Sequence, residues 1–252
     1  MDKIVDTKNK TLQKVLNSFE LIYSNNHKME DLEAFSKCES YRRKLLADKS
    51  EVSYEFFSSE KKATVQNVCK EEASKIKWCQ FLYYLTKSIK NPNVLEIGTN
   101  LGVSGSYILE ALKGRNGNLT TMEGLPQFCE MSTQQFSSIV PNSNFEVVEG
   151  LYDITFPKII ERRVNYNLLF LDGNHSKEPT LEYFRALKSK IGHSAIFVFD
   201  DIYWSKGMEE AWGIIKNDKD VNFSLDLYQQ GVAVIDKRDS QDKKQFNLHF
   251  AF

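Results

Sequence analysis

The feature that most constrains this chain is a change of period at Asn91-Pro92-Asn93. Upstream, residues 1–90 hold neither glycine nor proline, and their apolar residues recur at helical spacing. Leu12, Val15, Leu16, Phe19, Ile22 and Tyr23 share one face. Met29, Leu32, Phe35 and Leu45/Leu46 suggest a second helix, and a third helical stretch is expected from about Glu60 to Ile89. Glu51–Ser59 mixes aromatics with serines and reads as a loop. Downstream, strand-like runs alternate with helical ones. Val94–Ile97, Leu119–Glu123, Phe145–Glu149, Asn167–Asp172 and Ala195–Asp200 read as strands, each followed by a helical stretch. Asn222–Leu227 and Gly231–Asp236 are separated by only Tyr228-Gln229-Gln230 and should form an antiparallel hairpin. The alternating tail, residues 245–252, is expected to add a short edge strand or to pack over a gap. Five strand–helix units and a hairpin imply an α/β fold: a mostly parallel sheet, helices on both faces, and one antiparallel strand at the end. At 252 residues and 41% hydrophobic, the chain can bury the core such a sheet needs.

Charge and targeting signals exclude several classes. The net charge of −1 gives no strong field toward nucleic acid or anionic membrane, and no basic stripe with interleaved aromatics stands out. No run approaches the roughly 18 apolar residues of a membrane helix. The polar start, Met-Asp-Lys-Ile-Val-Asp, does not read as a signal peptide. Cys38, Cys69, Cys79 and Cys129 are widely spaced, so free, mostly buried thiols in a reducing cytoplasm are expected.

Chemistry concentrates at the strand ends. Val94-Leu-Glu-Ile-Gly-Thr-Asn-Leu-Gly-Val-Ser-Gly105 reads as strand, glycine loop and helix. Gly98, Gly102 and Gly105 lack the close first pair of a dinucleotide fingerprint. Glu96 would repel a pyrophosphate but suits a cationic ligand, and S-adenosylmethionine carries a sulfonium and an ammonium with no phosphate. Glu123, at the end of the second strand, can accept hydrogen bonds from both ribose hydroxyls. The bland alternative is a glycine loop and strand-end acids that bind nothing.

Asp172 ends the fourth strand, and Asp200 and Asp201 end the fifth. Neighbouring strands lie about 4.8 Å apart, so these carboxylates could converge on a hard cation such as Mg²⁺. The alternative is that each caps the helix or loop that follows. His175 could act as general base, or simply bond its own loop; Lys177 and Tyr203 are weaker candidates for the same duty. Trp204 reads as a pocket wall or core residue.

From about Lys77 to Asp236 the chain resembles class I S-adenosylmethionine-dependent methyltransferases. The resemblance rests on Val94-Leu-Glu-Ile-Gly-Thr-Asn-Leu-Gly102, Thr121-Met-Glu-Gly124, Phe170-Leu-Asp-Gly-Asn-His175 and Phe199-Asp-Asp-Ile-Tyr-Trp-Ser205. It implies a Rossmann-like seven-stranded methyltransferase sheet over residues 76–252; residues 1–75, a helical N-terminal extension, match no motif of that family, and their helices could form a lid over the acceptor site or a contact between copies in a homo-oligomer. The resemblance also implies donor contacts at Glu96, Gly98, Thr99, Asn100, Gly102, Ser104, Glu123, Gly124, Gly150, Leu151 and Asp172. A more distant similarity to metal-dependent O-methyltransferases implies metal ligands at Asp172, Asp200 and Asp201, and a base at His175. This chain has Asp-Asp where those enzymes have Asp-Asn or Glu-Asp. The implied reaction is O-methylation of a small-molecule hydroxyl, with a divalent metal (Mg²⁺) assisting; the alternatives are a metal-free methyltransferase and a non-catalytic donor-binding module.

Overall fold

The computed structural model describes residues 8–55, 62–239 and 243–248. In chain order the elements are α1 (Lys10–Tyr23), α2 (Met29–Ala47), β1 (Glu51–Ser53), β2 (Lys62–Thr64), α3 (Val65–Glu71), α4 (Ile76–Ser88), β3 (Asn93–Ile97) and α5 (Val103–Leu112). Then come β4 (Asn118–Glu123), α6 (Pro126–Ser137), β5 (Phe145–Glu149), α7 (Tyr152–Glu161), β6 (Leu168–Leu171) and α8 (Lys177–Ser189). The chain closes with β7 (Ser194–Phe199), α9 (Lys206–Lys216), β8 (Phe223–Asp226), β9 (Gly231–Asp236) and β10 (Lys244–Asn247).

The main sheet runs in the order β10-β8-β9-β7-β6-β3-β4-β5. β9 alone runs antiparallel to its neighbours, against β7 on one side and β8 on the other. The expected hairpin is therefore present, and the alternating tail contributes β10, which pairs with β8 in parallel. The part of the tail from 249 to 252 lies outside the described residues. The sheet works as the two-residue period of a strand requires. Val94, Leu168, Phe170, Ile196 and Val198 enter one apolar cluster, and Leu95, Leu169, Leu171, Phe197 and Phe199 enter the other. Residues from α1 through α6 complete the first cluster, and residues from α7, α8 and α9 complete the second.

Two upstream expectations change. Part of the expected loop at 51–59 is β1, which pairs antiparallel with β2 through Val52↔Ala63; residues 56–59 lie outside the described residues. The single helical stretch from about Glu60 to Ile89 is a strand and two helices. The break comes at Glu72–Lys75, where the Arg42 guanidinium of α2 donates to the Ser74 carbonyl at 2.9 Å. That carbonyl is thereby claimed by a tertiary partner.

The N-terminal helices share the core of the sheet. Leu12, Val15 and Phe19 of α1 and Phe35 of α2 belong to the same cluster as Val94 and Phe170. α1 packs on α4 and beside β7 and β9, and α2 packs on α3 and α5. Thr11 at the start of α1 donates to Asp236 at 2.9 Å, tying that helix to the end of β9. All four cysteines are buried and free. Among the described residues, no helix is long and apolar enough to cross a membrane.

Candidate active site

From β3 the chain proceeds outward through β4 to β5, then returns to place β6 on the other side of β3. The crevice at such a reversal, at the carboxyl ends of the strands, is where open α/β sheets bind ligands. The glycine loop after β3 lies there. Gly98 has φ +104°, and a Cβ on it would stand 2.3 Å from the Asp172 carbonyl oxygen, so this close approach of two chains admits only glycine. The backbone N–H groups of Gly98 and Thr99 both donate to the Met122 carbonyl, at 3.1 and 3.0 Å. Asn100, at φ +48°, continues the turn, and its N–H donates to Glu123 Oε2 at 2.8 Å. Tyr41 of α2 donates to the Leu101 carbonyl at 2.7 Å, so a helix of the N-terminal segment holds the loop from above.

Glu96 and Glu123 differ in what they face. Glu96 pairs in register with Thr121 of β4, and both are fully buried. Ser104 donates to Glu96 Oε1 at 2.6 Å and Thr121 to Oε2 at 2.7 Å. Burial pushes the carboxyl up to about 7, against the pull of those two hydroxyls. As arranged here, Glu96 thus pins the loop to β4 from behind, where the sequence suggested direct contact with a cationic ligand. Glu123 lies at the tip of β4, 7% exposed, accepting from the N–H groups of Asn100 and Leu125. Burial raises its pKa as well, with those backbone donors opposing the shift.

The acids of β6 and β7 form the other half of the mouth. Asp172 receives the Ser74 hydroxyl at 3.2 Å and hydrogen-bonds with Asp200. Burial and the facing Asp200 charge hold Asp172 well above the usual carboxylate range; burial and Asp201 raise Asp200 to about 6. Each carboxyl disfavours ionisation of the other, and burial adds to the effect. His175 Nε2 stands 3.7 Å from Asp172 Oδ1. Asp201 turns away. Its φ is +52°, and its Oδ1 accepts from Gln229 at 3.4 Å.

Two pockets open beside these strand ends. One is a tight recess lined by Ser74, Gly98, Thr99, Asn100, Ser104 and Asp172. The other is a cleft of about 630 Å³ lined by residues that include Gly124, Leu151, Tyr152, Asn174 and Tyr183. Tyr152 belongs to the wall of the cleft. A Cβ on Gly173 would meet its ring at 2.9 Å, and the Glu123 and Asp172 charges, after burial, raise its pKa.

Residues 95–202 match the family model described as a methyltransferase domain. The chain is 27% identical over 107 residues to a catechol O-methyltransferase of Niastella koreensis, covering 42% of this chain and 47% of that protein. It is 32% identical over 88 residues to a putative O-methyltransferase of Mycobacteroides abscessus, covering 34% and 39%. The chain therefore spans less than half the length of these curated relatives. Among solved structures, an SAH-bound Podospora anserina methyltransferase aligns with TM-score 0.62 at 13% identity, covering 93% of this chain and 98% of that one. An O-methyltransferase from Bacillus cereus in complex with SAH aligns with TM-score 0.58 at 16% identity, covering 94% of both. At such identities the likeness shows the fold alone.

The strand ends bring seven of the sequence-derived residues to these two pockets. Gly98, Thr99, Asn100, Ser104 and Asp172 line the recess, and Gly124 and Leu151 line the cleft. Gly150, at φ +133°, turns the chain after β5 and donates to the Glu123 carbonyl at 2.8 Å. Gly102 faces elsewhere. A Cβ there would lie 2.8 Å from the Ser132 Cβ, so it is small to let the loop pack on α6.

The metal set Asp172, Asp200 and Asp201 is not assembled. Among the described residues, no group of three or more His, Cys, Asp or Glu side chains is placed to hold an ion. The left-handed turn at Asp201 brings its carboxylate to Gln229 of the β8–β9 turn, while Asp172 and Asp200 face each other. Lys177 is paired with Glu210 at 2.7 Å and Tyr203 is hydrogen-bonded to Asp226, so neither is free to serve as base. Trp204 is 73% exposed, neither core nor the wall of an enclosed pocket.

Ser74, Tyr152 and Gln230 were missed. Ser74 and Asp172 are 98 residues apart in sequence, and no local pattern links them. Gln230 donates to Asp200 at 2.8 Å from a hairpin turn that reads only as a turn. Tyr152 carried a usable signal, a large aromatic directly after Gly150-Leu151.

Proposed function

We propose that this chain is an S-adenosylmethionine-dependent methyltransferase that methylates a hydroxyl of a small molecule. The observation that carries the reading is what meets at the strand ends: a glycine loop too tight for side chains, the strand-tip carboxylate Glu123 bonded to that loop, and a facing acid pair with a histidine beside it. S-adenosylmethionine, when bound, supplies an electrophilic methyl on a sulfonium sulfur.

The protein's own residues do the rest. Glu123 suits ribose hydroxyls, as a buried acceptor at the strand end. Ser104, whose hydroxyl donates to Glu96 and whose oxygen can still accept, lines the recess suited to the amino-acid end. The N-terminal segment enters through Glu72–Ser74, which walls the recess, and we propose that it covers the donor end. His175 is turned with Nε2 toward Asp172, which leaves Nδ1 to take the proton of the acceptor hydroxyl. Asp172, 3.7 Å from Nε2, orients the ring, as a carboxyl does behind a catalytic histidine. The largest contribution is positioning in a site with little water.

Metal-assisted transfer is the second reading. The adjacency of Asp172 and Asp200 favours it, since a cation would relieve their mutual repulsion, although the third carboxylate points away. Calorimetry with S-adenosylmethionine tests the main reading, with and without Mg²⁺ and with NAD⁺ as the competing ligand. Tight NAD⁺ binding without S-adenosylmethionine binding overturns it. Transfer abolished by a chelator and restored by Mg²⁺ selects the second reading.

A further inference from the structure

β7 and β9 run antiparallel, and their last paired residues are Phe199 and Gly231. Carrying that register one step beyond the strands puts Asp200 opposite Gln230. A second step puts Asp201 opposite Gln229. The side chains follow the register: Gln230 Nε2 donates to Asp200 Oδ1 at 2.8 Å, and Gln229 Nε2 to Asp201 Oδ1 at 3.4 Å. Two consecutive glutamines thus grip two consecutive aspartates at the strand ends.

The turn that carries them is itself held. Leu227 N–H donates to the Gln230 carbonyl at 2.9 Å, and Ile202 N–H to the Gln229 carbonyl at 3.1 Å. The Gln229 side-chain oxygen receives the Trp78 indole N–H at 3.0 Å, tying the turn to α4. Gln230 is fully buried, and its Oε1 has no hydrogen-bond partner among the described residues. A buried orphan oxygen is costly. Reversing the amide would set that oxygen against the Asp200 carboxylate, so the amide sacrifices one atom to serve Asp200 with the other.

Resting on the methyl-transfer reading above, we propose that Gln230 is a positioning residue for Asp200, and that Gln229, held by Trp78 and bonded to Asp201, fixes the turn that carries it. Their neutral amides fix the orientation of the acids and leave their negative charge in place. A lysine or arginine at either position would cancel that charge; a leucine would leave a buried carboxylate oxygen without a donor. The residues act through the aspartates and have no part in holding the donor.

The test uses the whole chain, radiolabelled S-adenosylmethionine and catechol as the acceptor probe. Gln230→Leu should lower kcat about tenfold or more, the loss of one donor to a charged group, while the donor Kd from calorimetry stays within about twofold. Gln230→Glu, of the same shape but without the amide, should fall at least as far. Gln229 is half-buried, so Gln229→Leu keeps the question open to an answer if Gln230→Leu fails to fold; a several-fold loss of kcat at constant donor Kd is expected. Wild-type kcat in Gln230→Glu or Gln229→Leu overturns the inference, as does an equal loss of donor affinity and kcat. Failure of the wild-type chain to bind S-adenosylmethionine overturns the underlying reading, and calorimetry alone registers it.

Discussion

The two halves of the site are built differently. The donor end is made of backbone: glycines at φ +104° and +76°, loop N–H groups bonded to the Met122 carbonyl and to Glu123, and Glu96 satisfied by two hydroxyls behind. The acid mouth is made of side chains: two facing carboxyls, a histidine 3.7 Å from one of them, a glutamine with an orphan oxygen, and an exposed Trp204. A backbone-built pocket tolerates few changes of ligand, because moving one atom moves the chain. A side-chain mouth can be retuned by single substitutions. The contrast matches a site with one invariant donor and an acceptor set by local chemistry.

The largest break in that comparison should come from the mouth. His175→Ala should lower kcat by about 10²- to 10⁴-fold, the usual worth of a general base, with the donor Kd unchanged by calorimetry. A parallel loss of donor affinity would merge the two halves into one.

Gly98→Ala attacks the donor end. The added Cβ would meet the Asp172 carbonyl at 2.3 Å with φ at +104°. A cost of about 3 kcal/mol or more is expected from strain and overpacking together, read from urea unfolding, together with loss of S-adenosylmethionine binding.

Glu96 offers a test of comparable size through pH. Its folded pKa, about 7, lies above its ordinary 4.5. Below pH 4.5 both folded and unfolded chains carry the proton, and the contribution to stability is whole. As pH rises the unfolded chain ionises first, so stability is lost until pH passes about 7. The loss over that window is about 3 kcal/mol. Glu96→Gln should remove this part of the slope, seen as a flatter Tm between pH 4.5 and 7 than in the wild type.

The smallest effect is at the rim. Trp204→Ala should change stability by less than about 0.5 kcal/mol, as for exposed residues without buried contacts, while any change in transfer should appear in the acceptor KM alone.

Much of this was legible before folding. The alternation of periods after Asn93 implied the parallel sheet and the closing hairpin, because a half-buried strand and an amphipathic helix each leave a local signature. Glycines at 98, 102 and 105 marked the loop, and the acids at 123, 172 and 200 marked the strand tips. The misreadings share one physical cause. The helix expected from about Glu60 to Ile89 breaks at Ser74 because Arg42, remote in sequence, claims its carbonyl. Asp201 leaves the acid cluster because its backbone turns left-handed beside Gln229.

The sequence by itself determined the order of strands and helices, the position of the loop and the identities of the acids, since these follow from short-range periodicity and from which residues tolerate a positive φ. Only the tertiary structure decided which carboxylates meet, which are pinned behind the loop, and which donors orient them. Those outcomes depend on register between β7 and β9, on the docking of α2 against the loop, and on the turn at Glu72–Lys75. Each is a contact between residues far apart in the chain, where no local pattern carries the information.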